Sequence, residues 1–256
     1  MSTNGFTLRD EQNQYIDILQ DDTIVSRYMY AYDNSTKERL QQTYKPYLHV
    51  FNTEGTAPIT KGAGGHFTHH RGIFIGWNKI EYKNQSYDRW HMTDGEIIHR
   101  KFAEKTATQD SAILISNTDW NDEKQQPILR EDRHMTFSQP SEDDFRLQID
   151  FQSKLTAVAG NLVLNGDPEH AGVQYRPADE LILEDTTYTF PQVKADPRVD
   201  IDYPWVSETY TLNGKRYTIV QLNHLGNPKE TKFSAYRDYG RFGAFFVYPI
   251  ADGATL

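Results

Sequence analysis

Residues 64–77 read GGHFTHHRGIFIGW, and this stretch holds three of the nine histidines in the chain. His66, His69 and His70 precede Arg71, and an apolar run follows directly. A short apolar run predicts a buried strand, and the two leading glycines allow backbone shapes that a Cβ would forbid. We therefore expect the imidazoles at the mouth of a rigid strand, where binding and catalytic sites are commonly built.

The alternative is a polar loop whose histidines merely cap strand ends. We favour a functional site, because titratable groups of this density are costly to assemble for packing alone. His66 and His69 form a His-x-x-His pair, so a divalent metal bound by histidines is possible. No recognisable metal motif accompanies the pair, and we assign no metal ligand.

Short strand patterns separated by turns extend outward from this stretch over the whole chain. Residues 128–137 and 145–151 alternate polar with apolar side chains, which is typical of strands with one wet face. Asn213-Gly214 joins two further strand patterns and predicts a β-hairpin. No amphipathic helical pattern exceeds about two turns, so the predicted class is all-β.

The predicted architecture is a large antiparallel β-sandwich, jelly-roll or supersandwich-like. Because no linker or repeat interrupts the strand patterns, we expect one domain over residues 1–256. Two parts of it depart from the strand pattern. Residues 1–20 form a polar segment with weak helical or irregular signals, and the proline-bearing stretch around 191–204 predicts a long loop that could wall a cleft.

Composition restricts the partners of the protein. The formal net charge is -9, which argues against a nucleic-acid or anionic-membrane partner. The absence of cysteine excludes disulfides, thiolate nucleophiles and cysteine metal sites. No apolar run reaches transmembrane length and no signal peptide follows Met1. We expect a periplasmic or secreted protein if a leader has been removed, and otherwise a cytoplasmic one.

The chain is rich in aromatic residues, with 16 Tyr and 13 Phe. Aromatic rings stack on sugars and tyrosine hydroxyls hydrogen-bond to them, so this content suits a carbohydrate site. Tyrosine is also favoured in half-exposed strands, which is the alternative explanation.

Histidines elsewhere in the chain extend the set of candidate catalytic groups. If His69 and His70 lie on a strand they point to opposite faces, so only one can share a pocket with His99 or His134. His134 shares its strand face with Asp132, which could line a cleft or form a cross-strand ion pair on a solvated sheet.

The stretch 167–176 is a second dense group of polar side chains. If the residues after Gly172 form a strand, Gln174 and Arg176 lie on one face, with His170 in the preceding turn. An arginine, an amide and a histidine together suit recognition of a carboxylate or sulfate on a sugar. A charged β-turn is the alternative. Near the C-terminus Arg237, Tyr239 and Arg241 alternate and share a face in the same way.

These stretches together resemble the bacterial family labelled PmoA-like or DUF6807. The matching pieces, in order, are Tyr44–Tyr47, His69–Gly72, Asp88–Trp90, Gly95–Arg100, Asp119–Trp120, Leu129–Glu131, His170–Gly172, Gln174–Arg176 and Tyr239–Gly240. The chain has Gly65–Thr68 where many members carry Asp-His-Pro, so a role for that acid does not transfer. The resemblance implies a β-sandwich that is often encoded near sugar-degrading genes.

Our leading hypothesis is a carbon–oxygen lyase or dehydratase that performs an elimination on an acidic or oxidised oligosaccharide. Such a reaction needs a base for the α-proton, an acid for the leaving oxygen and a cation for the developing enolate. The candidate catalytic residues are His70 or His99 as base, His134 or His170 as second proton-transfer group, and Arg71 as anion clamp. The candidate substrate-binding residues are Arg176 as a second anion clamp, Trp90 and Tyr239 as stacking platforms, and Gln174, Arg237 and His69.

Two alternatives stay open from the sequence. A glycoside hydrolase on the same scaffold would use Glu131 or Asp167 in place of histidine. A non-catalytic carbohydrate-binding sandwich would need the aromatic residues and not the histidines.

Overall fold

The computed structural model describes residues 5–141 and 144–256. The first strands are β1 (Phe6–Glu11), β2 (Tyr15–Gln20), β3 (Thr23–Met29), β4 (Tyr47–Val50), β5 (Ile73–Trp77), β6 (Lys79–Tyr82), β7 (Gln85–Tyr87), β8 (Ile97–Ala107), β9 (Ser111–Asn121) and β10 (Pro127–Ser138). They are followed by β11 (Gln148–Ala157), β12 (Leu162–Asn165), β13 (Ala171–Tyr175), β14 (Ile182–Thr189), β15 (Trp205–Leu212), β16 (Lys215–Leu222), β17 (Lys232–Phe233), β18 (Phe242–Phe245) and β19 (Tyr248–Ile250). The helix α1 (Lys37–Thr43) lies between β3 and β4.

The strands form one large sheet and three smaller ones. The large sheet has the order β1-β2-β3-β4-β5-β13-β18-β17, and the smaller sheets are β11-β10-β9-β8, β19-β12-β6-β7 and β14-β15-β16. Neighbouring strands pair antiparallel throughout the described residues. The predicted all-β antiparallel sandwich is therefore confirmed.

The core lies between the inner face of the large sheet and the three smaller sheets. Ile16 and Leu48 of the large sheet pack in one cluster with Leu114 and Met135 of the β8–β11 sheet. Two further clusters continue this core beneath the β12 and β15 sheets. The inner face of the large sheet therefore packs against the core clusters, whereas its outer face is left for loops that lie outside this core.

Alternation along β5 separates the two faces at the centre of the large sheet. Ile75 and Trp77 point into the core, whereas Phe74 points outward and packs with Tyr47 and Trp90. The strand register places Phe74 beside Gln174 of β13. The apolar run that begins at Ile73 is thus a strand buried on both faces, as predicted.

The N-terminal segment differs from its prediction. Its residues form the β1–β2 hairpin at the edge of the large sheet, in place of helical or irregular structure. Ile16 and Ile18 are fully buried, so packing against the core overrides the weak local preference of a polar segment. The residues before Gly5 lie outside the described part of the chain.

Two turn predictions can be compared with the structure. The β15–β16 hairpin turns at Asn213 and Gly214, whose φ angles of 51° and 73° suit the predicted two-residue turn. Residues 190–204 connect β14 to β15 without a helix or strand. Within the described residues, no helix is long and apolar enough to cross a membrane.

Candidate active site

A cavity of about 310 Å³ opens on the outer face of the large sheet. It is lined by Phe67, His69, His70, His91, Glu169, His170, Arg237, Tyr239 and Arg241. The lining residues come from loops before β5, after β7, before β13 and before β18. Since β5, β13 and β18 are neighbours in the sheet, their flanking loops fold over the same patch of its outer face.

A glycine on β5 allows one of these loops to lie against the sheet. A Cβ on Gly76 would lie 2.2 Å from the carbonyl oxygen of Arg89, so only glycine leaves room for the backbone there. The backbone N–H of Arg89 donates to the carbonyl of Trp77 at 2.8 Å. This close approach carries His91 over the outer face.

Four imidazoles meet in the cavity. The ring centroids of His69 and His70 are 4.4 Å apart, and those of His69 and His91 are 4.5 Å apart. The ring of His170 lies 5.3 Å from that of His91. His69 and His70 both line the cavity because they lie in a loop, where the opposite-face rule for adjacent strand residues does not apply.

Two of these histidines are held by aspartates at the same spacing. Asp88 Oδ2 lies 2.7 Å from His91 Nδ1, and Asp167 Oδ1 lies 2.8 Å from His170 Nδ1. Burial alone would raise the pKa of both carboxyls, but hydrogen bonds from the histidines contribute to holding each pKa below its usual value. A carboxylate at Nδ1 keeps the proton of a neutral ring there and leaves Nε2 as the basic nitrogen.

The other two histidines are held neutral by their surroundings. Burial lowers the pKa of His69 to about 3, and Lys45, His91 and His170 add to the shift. Burial also lowers the pKa of His70, with His69, Arg241 and Lys45 contributing. A neutral imidazole with a depressed pKa can donate its N–H to a substrate oxygen without being a charged acid.

Two arginines bring positive charge to the cavity. Arg237 Nε donates to Glu169 Oε2 at 3.0 Å, and Arg237 Nη2 donates to the same oxygen. Arg241 is buried, and its Nη1 donates to Gln174 Oε1 at 2.8 Å and to Ser234 Oγ at 2.9 Å. The predicted substrate-binding residue Gln174 therefore lies beneath the cavity and positions Arg241.

Aromatic side chains form the floor and one wall. Trp90 is fully buried and packs on Phe74, with ring centroids 4.8 Å apart. The predicted role of Trp90 as a stacking platform is wrong, because the ring is covered, and Lys45 Nζ donates to its carbonyl oxygen at 2.8 Å. Tyr239 does line the cavity, with its ring 6.1 Å from that of His70.

The two predicted anion clamps bind groups of the protein itself. Arg71 donates to the carbonyl oxygens of Gln41 and Gln42, whereas Arg176 donates to the carbonyl oxygen of Tyr239 and to the carboxylate of Asp179, both at 2.6 Å. Neither arginine lines the cavity. The prediction was wrong because a buried guanidinium can donate to main-chain carbonyls or to a carboxylate of the protein as well as to a substrate anion, and local sequence does not distinguish these partners.

Two predicted catalytic histidines lie in the other layer of the sandwich. His99 is on β8, with Nδ1 2.7 Å from Ser116 Oγ, and lines a separate cavity of about 490 Å³. His134 is on β10, on the outward face of the β8–β11 sheet, between Ile115 and Gln152. Sequence spacing could not place them, since the pairing of distant strands decides which layer each joins.

His91 and Glu169 line the cavity and were missed from the sequence. A repeated Asp-x-x-His spacing, at Asp88–His91 and Asp167–His170, was the available signal. Within residues 5–141 and 144–256, no group of three or more His, Asp or Glu side chains could hold a metal ion. Histidine-bound metal stays a prediction.

Comparison with known proteins places the chain in one family. It belongs to the family of unknown function DUF6807, whose sequence model matches residues 15–256. No curated protein and no solved structure matches the chain. The resemblance expected from the sequence is confirmed for DUF6807.

Proposed function

We propose that this member of a family of unknown function is a carbohydrate lyase or dehydratase that breaks a carbon–oxygen bond by elimination. The observation that carries the proposal is the convergence of four histidines in one cavity, two of them held by aspartates. Elimination beside a carbonyl or carboxylate needs a base, an acid and a stabilised oxyanion. The cavity contains a residue suited to each task.

We assign the base to His170, whose Nε2 is left unprotonated by the Asp167 contact at Nδ1. Nε2 takes the proton from the carbon beside the carbonyl or carboxylate, and the C–H electron pair forms the new carbon–carbon double bond. The carbon–oxygen bond breaks as its electron pair moves to the leaving oxygen. His91, the second aspartate-paired ring, acts as an imidazolium whose charge Asp88 balances, gives that oxygen the proton from Nε2 and becomes neutral. After product release His170 loses a proton to solvent and His91 regains one, which restores both rings.

The neutral rings of His69 and His70 stabilise the negative charge that develops on the substrate oxygen. His69 and His70 offer N–H groups rather than extra positive charge, and Arg241 supplies the nearby cation. Donors held in place by a buried site stabilise such charge more than water does.

The size of the cavity favours a small substrate unit. About 310 Å³ lies at the low end of the range for ligand cavities, so we expect one sugar ring, free or at the end of an oligosaccharide. The cavity arginines favour an acidic or oxidised sugar.

The glycoside hydrolase alternative receives less support from the carboxylates. Glu131 is in the core with Arg133, and Asp167 is engaged with His170. Among the described residues, Glu169 is the one Asp or Glu side chain that lines the cavity. A pair of free carboxylates across a sugar, which that chemistry needs, is therefore not assembled around the cavity.

The test is incubation of the protein with acidic, oxidised and neutral mono- and oligosaccharides, with and without chelator, followed by mass spectrometry and ultraviolet absorbance. We expect an unsaturated product, and His170→Gln should lower kcat by about 10²–10⁴-fold. The control His224→Gln changes an exposed loop histidine and should leave kcat unchanged.

Other outcomes separate the alternatives. Products whose mass has increased by one water would show that the reaction is a hydrolysis and not an elimination. Sugar binding without turnover would favour a binding module, and loss of turnover with chelator would add a metal to the reaction.

A further inference from the structure

We infer that Arg241 and Arg237 form a carboxylate-binding subsite in which the side chain of Glu169 holds the place of a substrate carboxylate. The ligand class is a sugar acid, such as a uronate. The inference rests on the proposed function for the sugar part of that class, whereas the affinity for a carboxylate can be measured without any turnover.

Arg241 differs from the other fully buried arginines. This group consists of Arg71, Arg89, Arg133, Arg176 and Arg241. In the first four, both terminal nitrogens donate hydrogen bonds to carbonyl or carboxylate oxygens. Arg241 Nη2 makes no hydrogen bond within the described part of the chain, although Arg241 lines the cavity. A buried guanidinium with an unused donor that faces a cavity is suited to bind an anion.

The carboxylate of Glu169 accepts hydrogen bonds from Arg237 but lies too far from Arg241 to accept one. Its Oε2 accepts from Arg237 Nε at 3.0 Å but lies 3.9 Å from Arg241 Nη2. Burial opposes the charge of Glu169, yet the hydrogen bonds from Arg237 and Tyr236 keep its pKa below the usual value. An ionised carboxylate is therefore already stable beside these arginines, and a second one has a free donor to bind.

The pKa of His70 reflects the charge of Arg241 in the same cavity. After burial and His69, the groups that lower the pKa of His70 are Arg241, Lys45 and Arg176. Burial lowers the pKa of Lys45 well below its usual range and Arg176 is paired with Asp179, so Arg241 is the one of these three that lines the cavity. The buried charge of Arg241 attracts an anionic ligand more strongly than an exposed charge does.

A carboxylate at this subsite would be placed for the proposed elimination. The planar guanidinium of Arg241 is fixed by Gln174 and Ser234 through Nη1, which leaves Nη2 directed to a ligand oxygen. The α-carbon of a uronate is bonded to its carboxylate, so binding at Arg241 holds that carbon in the cavity shared with the histidines.

Calorimetric titration of the protein with glucuronate, galacturonate, glucose and galactose tests the inference. We expect the uronates to bind at least about tenfold more tightly than the neutral sugars of the same ring, with an affinity that falls with added salt. Arg237→Gln and Arg241→Lys should each weaken uronate binding about tenfold or more. Arg237 is only partly buried, so this variant is the one expected to fold without change.

Glu169→Gln gives a result of opposite sign. The variant removes the internal anion that competes for the arginines, so uronate should bind several-fold more tightly. Arg130→Gln removes an exposed arginine on the other layer and should not change the affinity.

Equal affinity for uronates and neutral sugars, or no binding of any uronate, would overturn the inference. Weaker binding to Glu169→Gln would also overturn it, because Glu169 would then be a ligand contact rather than a competitor. Selective uronate binding with no turnover would uphold the subsite and remove the proposed enzymatic function.

Discussion

The Glu131 carboxylate lies in the core between the two layers of the sandwich, fully enclosed by donors. These donors are Arg133 Nε and Nη2, Trp120 Nε1, Ser153 Oγ and Thr118 Oγ1. Burial raises the pKa of Glu131, yet Arg133 and the other donors outweigh it and lower the pKa below its usual value. Such a pair contributes little net stability, but loss of one partner leaves a buried charge unpaired.

Glu131→Gln should therefore lower the free energy of unfolding by about 3–5 kcal/mol, because Arg133 keeps its charge and loses its counter-ion. Urea denaturation followed by circular dichroism measures this change. Glu123→Gln, on the exposed turn after β9, is the matched control and should stay within about 0.5 kcal/mol of wild type. A change of similar size in both variants would show that the buried pair has no special role.

Strands β13 and β18 support the cavity, and they approach each other closely at a glycine. Gly172 has a φ of 81°, and a Cβ there would lie 1.9 Å from the carbonyl oxygen of Ala244. Gln174 follows two residues later on the same strand and holds Arg241. The strand pairing and the position of the cavity arginine thus depend on one residue without a side chain.

Gly172→Ala combines backbone strain with a clash, so we expect it to destabilise the protein by about 2–5 kcal/mol. Gly214→Ala is the matched control, since its φ of 73° is also left-handed but nothing lies within 4 Å of the added Cβ. The control should cost about 1–2 kcal/mol from strain alone. Equal urea midpoints for the two variants would show that β13 and β18 accommodate the added Cβ without any loss of stability beyond backbone strain.

The whole molecule buries several imidazoles that resist protonation when folded. His49 is buried on β4 with Nδ1 3.0 Å from Thr60 Oγ1, and burial, aided by Arg27, lowers its pKa to about 4. Burial also lowers the pKa of His99 to about 4. In the unfolded chain the pKa of an imidazole is about 6.5. Between these pH values the unfolded state binds protons that the folded state does not, so stability falls as the pH falls.

For His49 alone, lowering the pH from 7 to 5 should cost about 2 kcal/mol of unfolding free energy. His49→Asn keeps a polar atom near Thr60 and cannot titrate, so its stability should decline less over this range. Urea titrations at both pH values measure the difference. His224→Asn, at an exposed loop position, should show the full wild-type decline. An unchanged slope in His49→Asn would mean that His49 is protonated in the folded protein.

Local sequence determined the strand class, the hairpin at Asn213-Gly214 and the presence of polar loops rich in histidine and arginine. Each depends on side-chain alternation or on turn residues, which act over a few positions. The composition of the loops at His69–His70 and at His170 was likewise sufficient to mark two stretches that line the cavity.

Only the tertiary structure decided which polar groups meet. His70 and His170 share a cavity because β5 and β13 pair as neighbours, whereas His99 and His134 lie in the other layer. Arg71 is turned to backbone carbonyls, while Arg241 faces the cavity. These outcomes depend on contacts between residues far apart in the chain, and local spacing carries no information about such contacts.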